Sequence, residues 1–325
     1  MPGGNFAGQD LRGCDFTGAD LQGADFSNCD LRGARFEAAI LERATFAQAN
    51  LAHAVFQDSQ LAQARLVGAV LDGLRVEACD LRGADLRGAT LTGVRLGESE
   101  LEGINLSGLT LERVSLEGCN LRLASLVLTK LRSVRIIGSN LERANLCGAE
   151  LDDVKCQGVR LSQVVAPGTI ARNCVFEGVE AKLGDFSGSQ LQGVVLSSTN
   201  LDRACFRDAR FDRVLLDEAS LEFADFQSAV LIDASFRAAR LVGADLRRAR
   251  AHRTNFDGTD MSLSRLEDWE TWHCSTLQTI FPVGASLSAQ PHDVPLPQVV
   301  DQPLSRPPST EEERRDWTSL SDSSE

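Results

Sequence analysis

The chain is predicted to be an all-β solenoid followed by a tail, and three observations predict it. Every fifth residue from Phe6 to Leu266 is apolar, beginning Phe6, Leu11, Phe16, Leu21, Phe26 and Leu31 without loss of register. Two residues before most of these stands a small residue, such as Ala19, Ala24, Ala84, Ala144 or Ala244, or a slightly larger Val, Cys, Ser or Thr. Asp or Asn often lies between the two, and Gly often follows two residues after the apolar one. A fixed short period marks repeats that bury a core only by stacking on one another.

A period of five walks around a 3.6-residue helix and lines no face of it, so the unit is not helical. Small at i−2 and large apolar at i, with polar residues at i−1, i+1 and i+2, fits two inward side chains on a short extended segment. Gly at i+2 then sits at a corner, where the chain must turn and a positive φ is required. The chain turns every five residues.

The units Ala19-Asp20-Leu21, Ala84-Asp85-Leu86, Ala144-Asn145-Leu146 and Ala244-Asp245-Leu246 carry the motif A(D/N)LXX unmodified, and the chain resembles the pentapeptide-repeat family over roughly residues 4–266. The resemblance implies a right-handed quadrilateral β-helix with four units per coil, and so about thirteen coils and a rod on the order of 60 Å long. Residues twenty apart then stack in columns. Phe6, Phe26, Phe46, Phe186, Phe206 and Phe226 fall in one column, and Phe16, Phe36, Phe56, Phe176, Phe236 and Phe256 in the opposite one. Aromatic ladders facing aliphatic ladders are expected to fill the square core.

The chain therefore divides into a repeat region, residues 1–266, a capping or dimerisation segment, residues 267–287, and a disordered Pro-rich acidic tail, residues 288–325. The repeat begins at once, so the first coil is expected to expose its backbone edge. Between Leu61 and Leu161 the central residues are almost all aliphatic, and Leu123, Val127, Leu128 and Ile137 point outward as candidate partner contacts. Column arithmetic puts Val127 and Leu128 on one face, with Leu123 and Ile137 on the two flanking faces. Around Ala166, Ala171 and Ala181 the core should be least filled, with Val164, Val165 and Ile170 as the compensating bulk.

After Leu266 the repeat is expected to stop. Trp269, Trp272, Leu277, Ile280 and Phe281 supply bulk for a segment lying across the open end, buried either within one chain or between two copies in a homodimer through a solenoid end. Seven of the nine prolines lie from Pro282 onward among many Ser, Asp and Glu residues, which predicts disorder. Within that tail, Ser309-Thr310-Glu311-Glu312 has a capping-box pattern and precedes Trp317 and Leu320, a candidate short helix for a partner.

The net charge is −13, and from residue 267 onward there are eleven acidic and three basic side chains. The acidity is mostly in the tail, and a rod without a basic stripe is not expected to bind nucleic acid directly. No signal peptide, lipidation motif or long apolar run appears, so a soluble cytoplasmic protein without membrane contact is expected. Cys14, Cys29, Cys79, Cys119 and Cys174 occupy the small inward position and Cys156 a central one, so they read as reduced core fillers.

Four scattered histidines and no CxxC, P-loop or nucleophile–base spacing point to no catalytic residue, no metal site and no cofactor. The expected function is a non-enzymatic rigid scaffold for a protein partner. The family resemblance adds an alternative, a DNA mimic that binds gyrase or another type II topoisomerase and inhibits or protects it. Against the mimic stand Arg35, Arg75, Arg95, Arg135 and Lys155, which should form salt-bridge ladders with the column Glu37, Glu77, Glu117, Glu177, Asp217 and Asp257.

Overall fold

The structure is a computed structural model, and residues 1–284 of it are described. They form a parallel β-solenoid in which each residue pairs with the one twenty positions on, as in Arg35↔Val55 and Phe36↔Phe56. Two adjacent faces carry continuous parallel sheets. One has eight strands, from Arg35–Glu37 to Val175–Glu177, and the other ten, from Leu91–Thr92 to Glu270–Trp272. The remaining faces are held by single parallel bridges such as Asp25↔Thr45 and Asn120↔Asn140.

Residues Ala24–Asn28 show why the motif has its composition. Ala24 N–H donates across the corner to Leu21 O, Asp25 N–H to Gly4 O on the coil before, and Phe26 and Asn28 N–H to Thr45 O and Ala47 O on the coil after, all at 2.8–3.0 Å. That leaves Ser27 N–H, which donates to the Asp25 carboxylate at 2.8 Å. Asp or Asn is thus favoured before the apolar residue because its side chain accepts the one N–H that the coil ladder leaves over. The same bond recurs at Asn5, Asn50, Asn105 and Asp185.

The core is solid at its ends and hollow in its middle. Phe26 stacks on Phe6 and Phe46 at ring-centroid distances of 4.8 and 5.1 Å, and Phe36 on Phe16 and Phe56 at 4.8 and 4.6 Å. Across the axis the two ladders meet edge to face, with Phe26 and Phe36 at 6.1 Å and 86°. A second aromatic block runs through Phe186, Phe206 and Phe226. Between the blocks, aliphatic side chains do not reach the axis, leaving voids of ≈ 30 Å³ around Leu86 and Leu96 and ≈ 60 Å³ around Ala171.

The larger void lies where the sequence places the least-filled coil, although the backbone there keeps its register through Ile170–Arg172 and Val175–Glu177. Val165 and Ile170 do not fill it. Both occupy the i−1 position and are half-exposed on the outside, so of the three expected compensators only Val164 points inward.

The repeat does not stop at Leu266. Glu270–Trp272 pairs in register with Arg250–His252, and Ile280 bridges Asp260. Thr271 and Thr276 take the central slots, where a β-branched methyl replaces Leu, and this polar identity hides the period from an apolar count. Trp269, 8 % exposed, sits in the small-residue slot and fills the volume those threonines leave, edge-on to Phe256 at 5.5 Å. The segment from 267 adds a further coil instead of crossing the open end. Trp317, Leu320 and the expectation of disorder over 288–325 lie outside the described residues.

Candidate interaction surface

The corner residue at i+2 holds a positive φ along the whole solenoid, which favours Gly and costs a non-glycine residue about 1–2 kcal/mol. Elsewhere Arg, Gln, Asp, Ser and other small or polar residues take this position, apart from Leu128 in another column, which is half-buried. One corner differs. Leu123, Leu183, Phe223 and Leu263 share a single column, with φ of 58°, 58°, 57° and 61°. They are 47, 50, 54 and 76 % exposed. A large apolar side chain there is unfavourable twice over, through its backbone and through the apolar surface it leaves in water.

At a coil rise of roughly 4.8 Å, Leu183, Phe223 and Leu263 stand about 10 Å apart along the rod. Arg203 and Gly243 separate them. The Arg203 guanidinium lies 5.9 Å from the Phe223 ring centroid, a cation–π contact that fixes the ring. On its other side the ring covers Gly243, where a Cβ would come within 2.6 Å of it. The result is an apolar ridge along one edge of the solenoid.

Of the residues singled out in the sequence, Leu123 lies in the same corner column, three coils from Leu183 beyond Arg143 and Gln163. Val127 and Leu128 are half-buried on the neighbouring face, Leu128 leaning over Gly148, and Ile137 is half-buried in Arg135–Ile137. Trp272 is half-buried on the outer face of the last strand, and neither its indole N–H nor that of Trp269 has a hydrogen-bond partner among the described residues. Leu183, Phe223 and Leu263 escaped the sequence reading, although sixty, forty and forty are all multiples of the coil length. Comparing corner residues column by column would have found them.

Charge on the surface is arranged by a local device. In Asp10-Leu11-Arg12 the Asp10 carboxylate accepts both the Arg12 backbone N–H and its guanidinium, at 3.3, 2.8 and 2.6 Å. The same clasp forms at Asp30/Arg32, Asp80/Arg82, Asp85/Arg87 and Asp245/Arg247. The Arg12 hydrogen bonds hold the Asp10 carboxyl down to about 2. The reverse order behaves differently, and the expected salt-bridge ladders do not form. Arg35 reaches Glu37 at 3.5 Å, but Arg75, Arg95 and Arg135 have no carboxylate within 4.0 Å among the described residues, and Lys155 meets Asp153 instead. A Glu at i+1 is not placed to accept the i+1 N–H that an Asp at i−1 takes, so no backbone bond anchors it for the Arg.

Among the described residues, no group of three or more His, Cys, Asp or Glu is placed to hold a metal ion. All nine cysteines are free, and burial pushes the Cys79 and Cys174 thiols up to about 11, away from nucleophilic use. No helix among them is long and apolar enough to cross a membrane.

Two family models match the chain. One, described as a pentapeptide repeat region, covers residues 33–106. The other, pentapeptide repeats in eight copies, covers 5–37, 99–136, 129–165, 185–217, 196–231 and 229–268. No curated protein matches. Similar solved structures include HetL, a pentapeptide repeat protein involved in heterocyst differentiation regulation from the cyanobacterium Nostoc sp. strain PCC 7120, at 24 % identity over 83 % of this chain and 88 % of that one, with TM-score 0.21. Full-length QnrB1, a plasmid-mediated fluoroquinolone resistance protein, aligns at 17 % over 66 % of this chain and 90 % of that one, with TM-score 0.22. A pentapeptide repeat protein of the Arabidopsis thaliana thylakoid lumen aligns at 24 % over 46 % and 68 %, with TM-score 0.14. These likenesses concern the fold.

Proposed function

The chain belongs to the pentapeptide-repeat family, and from that premise we propose that it is a non-enzymatic scaffold that recognises a protein partner through the corner column Leu123, Leu183, Phe223 and Leu263. The observation that supports this is the placement of four exposed apolar side chains in one column of left-handed corners, where stability alone favours Gly. A rigid coil fixes the spacing of such anchors, so their loss of entropy on binding is small. Nine unpaired cysteines suit a reducing compartment, and we place the protein in the cytoplasm.

The test is the triple variant Leu183→Gly, Phe223→Gly, Leu263→Gly. Removing left-handed strain offsets the entropy of added glycine, so the melting temperature should stay within about 2 °C of the native chain. Partners recovered by in-cell crosslinking with the native chain should drop at least tenfold. Unchanged recovery would refute the ridge as the contact.

A second reading has one observation in its favour: Glu77, Glu117 and Glu177 have no ion-pair partner within 4.0 Å among the described residues, although Glu37 and Asp217 of the same column pair with Arg35 and Arg237. An acidic column could occupy a basic DNA saddle of a type II topoisomerase. Titration into a gyrase supercoiling assay separates the readings. Salt-sensitive inhibition, equal for the native chain and the glycine variant, supports the mimic; no effect at micromolar protein leaves the scaffold.

A further inference from the structure

We propose that the void around Ala171 is a binding site for one small apolar molecule, of the size of a xenon atom or a hydrocarbon of a few carbons. It measures ≈ 60 Å³ and is bounded by Ala166, Ala171, Ala181, Phe176, Phe186 and Leu196. Three of the four columns that elsewhere carry Leu or Phe carry Ala here within one coil, and the backbone does not collapse to compensate. The strands on either side hold it open, because Ile170–Arg172 keeps its register with both Glu150–Asp152 and Gln190–Gln192. A β-solenoid cannot shrink one coil without breaking the ladder above and below it. The side chains can shorten, but the frame stays the same size.

The lining tells what the site would accept. Thr169 and Thr199 contribute its hydroxyl groups, and each already donates inside its own wall, Thr169 to Leu146 O at 3.0 Å and Thr199 to Leu196 O. The orphaned hydroxyl nearby, that of Ser189, is not among the lining groups. A water needs two to four polar partners to enter a cavity, and this one presents only apolar surface to its interior, so the void excludes water although it has room for it. Dry cavities of about 150 Å³ lined by Leu, Ile and Phe take up benzene or xenon. This one is smaller, which narrows the ligand to the lower end of that class. Phe176 and Phe186 add polarisable ring faces, which favour a polarisable guest through dispersion. Entry requires local opening, and the coil best suited to open is the one with the fewest side-chain contacts across the core. The family model itself passes over these residues, matching up to 165 and resuming at 185.

The experiment is xenon binding to the full chain, followed by hyperpolarised xenon exchange spectroscopy and by anomalous diffraction from pressurised crystals. One bound xenon per chain is expected between Ala171 and Phe186, absent from the variant Ala171→Leu. That variant should melt at a higher temperature, because the added methylenes occupy empty space. Should Ala171→Leu be poorly folded, Ala181→Val carries the same test with a smaller increment. Absence of xenon from the native chain, xenon in the ≈ 30 Å³ void around Leu86 in its place, or undiminished occupancy in a well-folded filled variant would each overturn the proposal.

Discussion

Asp10 shows how much one side chain can decide in this repeat. Its carboxylate takes the backbone N–H of Arg12 and the guanidinium together, and the arrangement depends on Asp preceding Arg by two. The folded pKa, about 2, is lower than the ordinary value near 3.9. The clasp's contribution is therefore fully present above about pH 4 and fades as pH falls through about 2. Carbon-13 titration of the Asp10 carboxyl should give a midpoint near 2 in the native chain and near 3.9 in Arg12→Ala. A native midpoint already near 3.9 would show that the clasp is not populated in solution. The Asp position was legible because Asp or Asn recurs before the apolar residue, but its grip on the Arg two residues on was not. The failure of Arg75, Arg95 and Arg135 to pair was not legible either, because the pattern of signs is the same in either order and only the backbone N–H breaks the symmetry.

A single coil is a square frame with four inward columns, and its stability depends on what reaches the axis. Phe36 is fully buried, stacked on Phe16 and Phe56 and edge-on to Phe26 and Phe46. Phe36→Ala should cost about 3–5 kcal/mol, the range for emptying a full aromatic site. Phe176 borders the void, and with fewer contacts to lose Phe176→Ala should cost less, read as a smaller fall in the urea midpoint. Equal losses would mean that the void is filled in solution by rearrangement. The Phe columns and the weak coil could be read from residues twenty apart. That Val165 and Ile170 leave the void open could not, since their facing depends on the pleat and not on their volume.

Along the whole repeat region each coil contacts only its neighbours, so the ends are the weak points. Phe6, Leu11 and Phe16 remain half-buried in the first coil, whereas the last full coils are closed by Trp269 against Phe256 and Phe281. A chain truncated after Leu266 loses Trp269, Phe281 and the strand Glu270–Trp272, and should melt lower and aggregate as Phe256 and Met261 become terminal. One truncated after residue 284 keeps that coil and should melt higher than the shorter chain. Equal behaviour of the two would show that the coil beyond Leu266 adds nothing to stability.

The five-residue period and the identity of the core ladders were determined by the sequence alone, because each residue's role repeats with its position; the four-sided frame was implied by the family resemblance and is shown by pairing between residues twenty apart. Tertiary structure decided how far each side chain reaches into the core or into solvent once the coils are stacked. The spacing aligns Leu123, Leu183, Phe223 and Leu263 in one column, but their exposure and the seating of Phe223 between Arg203 and Gly243 depend on the packed coils. The void around Ala171 exists because a hydrogen-bonded frame cannot contract around smaller side chains, and Trp269 closes the core because the frame keeps its size when Thr replaces Leu.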